Sequence, residues 1–315
     1  MSVDYQKLRI IFLGTPDFAV AALDSLVQAG YTIAAVITAP DKPGGRGMGL
    51  QQSAVKQYAV QKSLRLLQPE KLKDPDFLEN LRSLQADLQV VVAFRMLPEA
   101  VWNMPPLGTI NVHGSLLPQY RGAAPINWAI INGESETGVT TFKLQHQIDT
   151  GDILLQETVS IGETDTAGEL HDRMKLAGAA LLLTTIQGLA EGSLKEVPQS
   201  AYDDAATAHQ KHAPKIFTDT CKVNWLRSST DVYNLIRGLS PYPAAFTELN
   251  GKKLKIFSAL KEAGAAVSAG STDTDQRTYL RFACADGWIS IKEVQLEGKK
   301  RMNIAAFLSG YRFPE

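Results

Sequence analysis

The chain has 315 residues, 44% hydrophobic and 21% charged, the composition of a folded, water-facing protein with room for two ordinary domains. No apolar run approaches the roughly 20 residues of a membrane span, and the opening Met-Ser-Val-Asp-Tyr-Gln-Lys has no signal-peptide core, so a cytoplasmic protein off the membrane is expected. Cys221 and Cys284 form neither a Cys-x-x-Cys motif nor a disulfide framework, and the net charge of −1 conceals a split: residues 206–315 carry 16 Lys and Arg against 10 Asp and Glu, the remainder 16 against 23.

Leu8–Leu13 is a continuous apolar run, the mark of a strand buried on both faces. Thr15 caps the following helix, with Pro16 and Asp17 in its first turn and Gly30 as its stop. Ile33–Thr38 completes a βαβ opening, which predicts a doubly wound, mostly parallel sheet of Rossmann-like type. Gly14 is followed by Thr-Pro-Asp-Phe and not by the Gly-x-Gly-x-x-Gly turn, so no nicotinamide or flavin dinucleotide is expected. The segment 39–53 is long for a βα connection and rich in Gly and Pro, a mobile functional loop.

Helical patterns at 54–62 and 76–84 bracket a short apolar stretch at 64–67. Strands are predicted at 88–94, 108–113, 139–144 and 153–159, with helices at 126–131 and 166–189. Residues 193–218 lack a period and read as a linker, giving domains 1–205 and 206–315. Beyond a helix at 229–238, Asn250-Gly251 and Asp286-Gly287 each separate two strand-like runs as two-residue hairpin turns. A small antiparallel open β-barrel of OB-like kind is the expected second domain.

The chemistry-bearing stretch runs from Asn111 to Asp152. Period-two alternation on the strand ending at His113 sends Asn111 and His113 to one face, and Asp149 follows in a glycine-bearing turn, Asp149-Thr-Gly-Asp152. An amide, an imidazole and a carboxylate meeting at one sheet edge suit acyl-type transfer: Asn111 and His113 donate to a developing oxyanion, while Asp149 orients the imidazole or takes a proton. No Ser or Cys nucleophile stands beside the His in a recognised motif, so direct transfer is favoured over a covalent intermediate. Asp152 reads as a turn former. His209 and His212 have no acidic or Cys partners in sequence, and no metal site is expected.

Asn111-x-His113-x-Ser115-Leu-Leu-Pro118, then Tyr120-Arg-Gly-Ala-Ala-Pro125, then Asp149-x-Gly-Asp152, together resemble the folate-dependent formyltransferases, as do Phe12-Leu-Gly-Thr-Pro-Asp-Phe18 and Pro40-Asp-Lys-Pro-Gly-Gly-Arg46. The resemblance runs along nearly the whole chain. It implies Asn111, His113 and Asp149 as the catalytic set and Ser115, Leu116, Leu117 and Pro118 as the folate-binding segment. It also implies 10-formyltetrahydrofolate as cosubstrate, with no permanently bound cofactor, and methionyl-tRNA as acceptor; a monomer is expected. Amines of small molecules are the rival acceptors, and a non-catalytic RNA-binding protein is the rival of another class. The resemblance further places tRNA on the C-terminal barrel, where Lys299, Lys300 and Arg301 form a basic cluster, and on the 39–53 loop, where Lys42 and Arg46 are the basic residues.

Overall fold

The computed structural model describes residues 7–44, 49–202, 210–264 and 267–313. In chain order the first part runs β1 (Arg9–Gly14), α1 (Asp17–Gln28), β2 (Thr32–Ile37), β3 (Lys42–Pro43), β4 (Leu50–Gln51), α2 (Ala54–Gln61) and β5 (Leu66–Leu67). It continues with α3 (Pro75–Ser83), β6 (Leu88–Val92), α4 (Glu99–Trp102), β7 (Thr109–His113), β8 (Arg121–Gly122), α5 (Pro125–Ile131), β9 (Glu136–Lys143), β10 (Ile153–Ser160) and α6 (Ala167–Glu191). Then follow β11 (His212–Ala213), α7 (Ser229–Gly238), β12 (Ala245–Leu249), β13 (Lys252–Ala263), β14 (Thr272–Thr274), β15 (Leu280–Ala283), β16 (Gly287–Leu296), β17 (Met302–Asn303) and α8 (Ile304–Gly310).

The chain forms two compact units. The first comprises residues 1–122, 138–159 and 171–211, the second 123–137, 160–170 and 212–315. The predicted boundary between 205 and 206 falls outside the described residues, and the second unit draws two short segments from upstream of it. No helix among the described residues is long and apolar enough to cross a membrane.

The first unit is built on a seven-stranded sheet of order β10-β9-β7-β6-β1-β2-β5. β1 pairs in parallel with β2 and β6, β2 with β5 and β6 with β7, whereas β7 meets β9 antiparallel. The apolar runs dictate this arrangement: Ile10–Leu13 and all of β6 are buried, as central strands covered on both faces must be. The strand order reverses between β1 and β6, the kind of switch point beyond whose carboxyl ends open α/β sheets hold their ligands, which predicts a crevice there. Helix α1 has Pro16 as its N-cap with no side-chain hydrogen bond; the predicted Thr15 cap is not made. α2 and α3 are capped as the sequence requires, by Ser53 and Asp74.

The 39–53 segment is a paired hairpin at its base: Lys42 faces Gln51 and Pro43 faces Leu50 across β3 and β4. The root is tied further, Thr38 Oγ1 lying 2.7 Å from Ser53 Oγ and the Asp41 carboxylate accepting from Lys56 Nζ at 2.5 Å and Gln68 Nε2 at 2.9 Å. Those two donors hold the Asp41 carboxyl below its ordinary range, the Lys56 hydrogen bond contributing most. The tip, with Arg46, lies outside the described residues.

The second unit holds a six-stranded antiparallel sheet, β12-β13-β16-β15-β14 with β17 on β16, wrapped over Val232, Ile236, Phe307 and Leu308 of α7 and α8. Asn250 (φ 48°) and Gly251 (φ 72°) form the predicted β12–β13 turn with both residues left-handed. The second predicted hairpin forms between β15 and β16, but its two-residue loop is Ala285-Asp286 and not Asp286-Gly287. Neither residue is left-handed, Cys284 N donates to Gly287 O at 2.7 Å, and Gly287 already lies in β16. The Asp286 carboxylate instead accepts from Ser229 N at 2.6 Å, at the first residue of α7, and this bond holds its carboxyl low. Gly287 is required by close approach, since a Cβ there meets Glu262 O at 2.6 Å.

Candidate active site

The face on which β7 displays its polar residues follows from packing. Val112 and Val139 point at α6, where a Cβ on Gly178 would meet them at 3.1 and 3.7 Å. Asn111 and His113 therefore share the opposite face, and Phe142, paired with Asn111 across β7 and β9, stands edge-on to the His113 ring at 6.5 Å. The chain leaving His113 folds back over this face. Ser115 O accepts from Thr140 Oγ1 at 2.6 Å, and Leu117 N donates to the same hydroxyl at 3.1 Å. Gln156 Nε2 of β10 reaches Leu117 O at 2.8 Å and Thr140 Oγ1 at 2.9 Å.

Ser115 and Leu117 are thereby sealed, at 0% and 1% exposure, and the Leu117–Pro118 bond is cis. The backbone groups expected to line a folate pocket at Ser115 and Leu117 thus bond to Thr140 and Gln156. Gly138 lets the segment settle: a Cβ there would sit 2.4 Å from Leu116 Cδ2 and 2.2 Å from Glu157 O.

His113 is buried, and its Nε2 lies 3.0 Å from Tyr120 O. A carbonyl only accepts, so Nε2 carries a hydrogen and donates it. Nδ1 faces the Asp149 carboxylate at 4.0 Å, an ion-pair distance and too long for a hydrogen bond. The carboxylate accepts instead from Gly122 N at 3.0 Å. Asn111 is half-buried, and its amide makes no hydrogen bond to another described residue. The predicted triad is thus gathered at the carboxyl end of β7, beside the crevice predicted from the strand order.

Three residues bordering this end are left-handed without being glycine: Ala93 (φ 47°), Tyr120 (φ 60°) and Asp149 (φ 54°). Such backbone persists only where surroundings impose it, and it concentrates at functional sites. Gly151 is required there by close approach and not by a left-handed backbone, since a Cβ would lie 1.6 Å from Lys143 O.

Sequence reasoning missed Gln199, which was read as linker. It is 4% exposed, and its Nε2 donates to Asp149 O and Gly151 O, both at 2.9 Å. Its Oε1 accepts from Arg121 Nε at 3.0 Å and Nη2 at 2.5 Å. Thr140 and Gln156 were likewise invisible, because each acts through a partner distant in sequence.

Other expected sites fall elsewhere. Lys42 is exposed on β3. Lys299 and Lys300 are exposed and make no ion pair among the described residues, whereas the Arg301 guanidinium pairs with Glu293 and stacks 4.4 Å from the Phe257 ring centre. His146 lies 3.5 Å from Glu99 and edge-on to Trp102, away from the triad. Asp17, His171 and Asp172 are the one cluster with metal-like spacing among the described residues. Lys175 Nζ already sits there, 2.8 Å from Asp17 and 2.9 Å from Asp172. Its hydrogen bonds hold the Asp172 carboxyl low.

The family model described as "Formyl transferase" matches residues 8–186, and "Formyl transferase, C-terminal domain" matches residues 215–312. A protein of Parabacteroides distasonis named methionyl-tRNA formyltransferase is 55% identical over 315 residues, covering 98% of this chain and 97% of its own. One of Flavobacterium johnsoniae with the same name is 47% identical over 315 residues, covering 98% of each. Among solved structures, the N-formyltransferase from Helicobacter canadensis in complex with folinic acid and dTDP-3-aminofucose superposes with a TM-score of 0.67 at 20% identity, covering 94% of this chain and 100% of that one, a likeness of fold. With both models matched in order and relatives alike from end to end, the chain belongs to the formyl transferase family.

Proposed function

We propose that this chain transfers the formyl group of 10-formyltetrahydrofolate to the α-amino group of methionyl-tRNA, with Asn111, His113 and Asp149 as the catalytic set. The likeness to relatives of that name along both units carries the choice of acceptor. The amine nitrogen attacks the formyl carbon, and the carbonyl oxygen takes the electron pair as a tetrahedral intermediate forms. The amine proton passes to the Asp149 carboxylate and on to N10 of the folate as the N10–carbon bond breaks, leaving tetrahydrofolate and N-formylmethionyl-tRNA.

Asn111, whose amide bonds no other described residue, donates to the oxyanion. A lost donor of this kind costs roughly 10²–10³-fold in kcat. His113 already gives its Nε2 hydrogen to Tyr120 O, so its Nδ1 edge, which faces Asp149, is the one left to act. The buried 115–118 segment forms the rigid wall of the folate site. The barrel region 206–315 is the tRNA-binding domain, with Lys299 and Lys300 meeting phosphates.

The test is a formylation assay with 10-formyltetrahydrofolate and either methionyl-tRNA or an amino sugar nucleotide. Product on methionyl-tRNA alone is expected, and product on the sugar alone overturns the acceptor. Asp149→Asn and His113→Ala should each lose at least about 10²-fold in kcat, with the double variant little worse, because groups acting as a unit are not additive. A folded Asp149→Asn protein of full activity refutes the catalytic assignment.

A further inference from the structure

Asp149 sits in a left-handed backbone conformation, at φ 54°, which Asp tolerates better than most L-residues but at a cost that its contacts offset. Two grips hold it there. Gly122 N–H fixes the carboxylate at 3.0 Å, and the Gln199 side chain fixes the backbone through Asp149 O and Gly151 O, each at 2.9 Å. Both grips come back to one dipeptide. Arg121, whose guanidinium takes Gln199 Oε1 with Nε and Nη2, is the residue before Gly122. The bonds close a ring from Asp149 through Gln199 and Arg121 to Gly122 and back to Asp149. Gln199 spends both amide hydrogens and both acceptor positions on that ring while 4% exposed, so it has nothing left for a ligand.

We propose that Gln199, held by Arg121, is a positioning residue for the transfer, setting where the Asp149 carboxylate stands relative to His113. The proposal rests on Asp149 acting in the reaction. Without Gln199 the Asp149 and Gly151 carbonyls lose their donor, and the turn is free to leave the left-handed state. The carboxylate then swings on the single bond to Gly122. A displacement of about 1 Å at a reacting group costs roughly 10²-fold, and partial displacement less.

The experiment is a double-mutant cycle in the full-length protein, reading kcat and both KM values for formylation of methionyl-tRNA. Gln199→Ala should lower kcat by about 10- to 100-fold while KM for the folate and for the tRNA each stay within about twofold, since neither substrate touches it. In an Asp149→Asn background the same change should move kcat by no more than about twofold, because the group it positions has lost its function. An equal loss in both backgrounds means a general structural role and overturns the proposal, as does an unchanged kcat in Gln199→Ala alone. Should Gln199→Ala fail to fold, Gln199→Glu enters the cycle in its place: it keeps the size and the Arg121 partner but sets an acceptor against both carbonyls. Full activity in Asp149→Asn would instead sink the catalytic reading itself, so the two failures are distinct.

Discussion

Replacing Gly151 by Ala tests whether the site depends on where the Asp149 turn stands. A Cβ at this position lies 1.6 Å from Lys143 O, 2.8 Å from Lys143 C and 3.3 Å from Phe142 Cδ2. Non-bonded heavy atoms settle at about 3.5 Å, so something must move by roughly 2 Å. Lys143 is the fixed partner, facing Ile110 in the β7–β9 register and followed by Leu144, whose N–H donates to Thr109 O at 2.8 Å. The turn therefore gives way. Its carboxylate leaves Gly122 N, now at 3.0 Å, and the 4.0 Å approach to His113 is lost. Misplacement by an ångström or more costs about 10²-fold, close to 2.7 kcal/mol in the barrier. Overpacking of this kind destabilises by about 1–3 kcal/mol, which leaves most domains folded. Steady-state formylation kinetics and a thermal melt, with Gly310→Ala as control because its Cβ meets nothing within 4 Å, read both effects. A Gly151→Ala enzyme with kcat within about threefold of the parent and an unchanged melt refutes the reasoning.

Two further outcomes follow from the second unit. Binding of methionyl-tRNA should weaken with salt, and Lys299→Ala with Lys300→Ala should flatten the log–log slope by about 1.4–1.8, at roughly 0.7–0.9 per phosphate; Arg301→Ala should do less, its charge being engaged by Glu293, and filter binding at several salt concentrations decides. Burial, with Asp286 nearby, pushes the Cys284 thiol up to about 11, so at pH 8 about one in a thousand is thiolate; iodoacetamide should spare Cys284 in the native protein and label it in denaturant, and fast native labelling would contradict the burial.

The parts of this molecule legible in sequence were those fixed by local chemistry. Apolar runs located β1, β6 and β7, alternation put Asn111 and His113 on one face, and Asn250-Gly251 marked a turn that needs two left-handed residues. Asp286-Gly287 carried the same local signal and marked the β15–β16 hairpin, but missed its two-residue loop by one position, the Asp286 carboxylate there bonding Ser229 N at the head of α7. The Gly and Pro content of the 39–53 segment marks a loop but not its paired root, which the Asp41–Lys56 ion pair and the β3–β4 pairing close. Gln199 illustrates the limit most directly. Its neighbours in sequence have no period, and its meaning comes wholly from Asp149 and Arg121, 50 and 78 residues away.

The switch from parallel to antiparallel pairing at β9 is what makes the site possible. A parallel neighbour to β7 would carry its next connection past the carboxyl end as a crossover. Antiparallel β9 instead runs away from Thr140, opposite His113, to Lys143, opposite Ile110. Thr140 is thereby placed where its hydroxyl bonds Ser115 O and Leu117 N, pinning the loop over the Asn111–His113 face. The chain then returns through the 149–152 turn into β10, which supplies Gln156 to the same loop. One antiparallel excursion thus delivers both the clamp on the 115–118 segment and the carboxylate that faces the His113 imidazole. The left-handed backbone at Tyr120 and Asp149 costs on the order of 1–3 kcal/mol each. Hydrogen bonds from Gly122 N–H and the Gln199 side chain offset that cost at Asp149, in a sheet whose central strands are fully buried. Strain therefore sits on the two residues that flank the His113 ring, Tyr120 and Asp149, and the packed sheet behind them keeps it from relaxing.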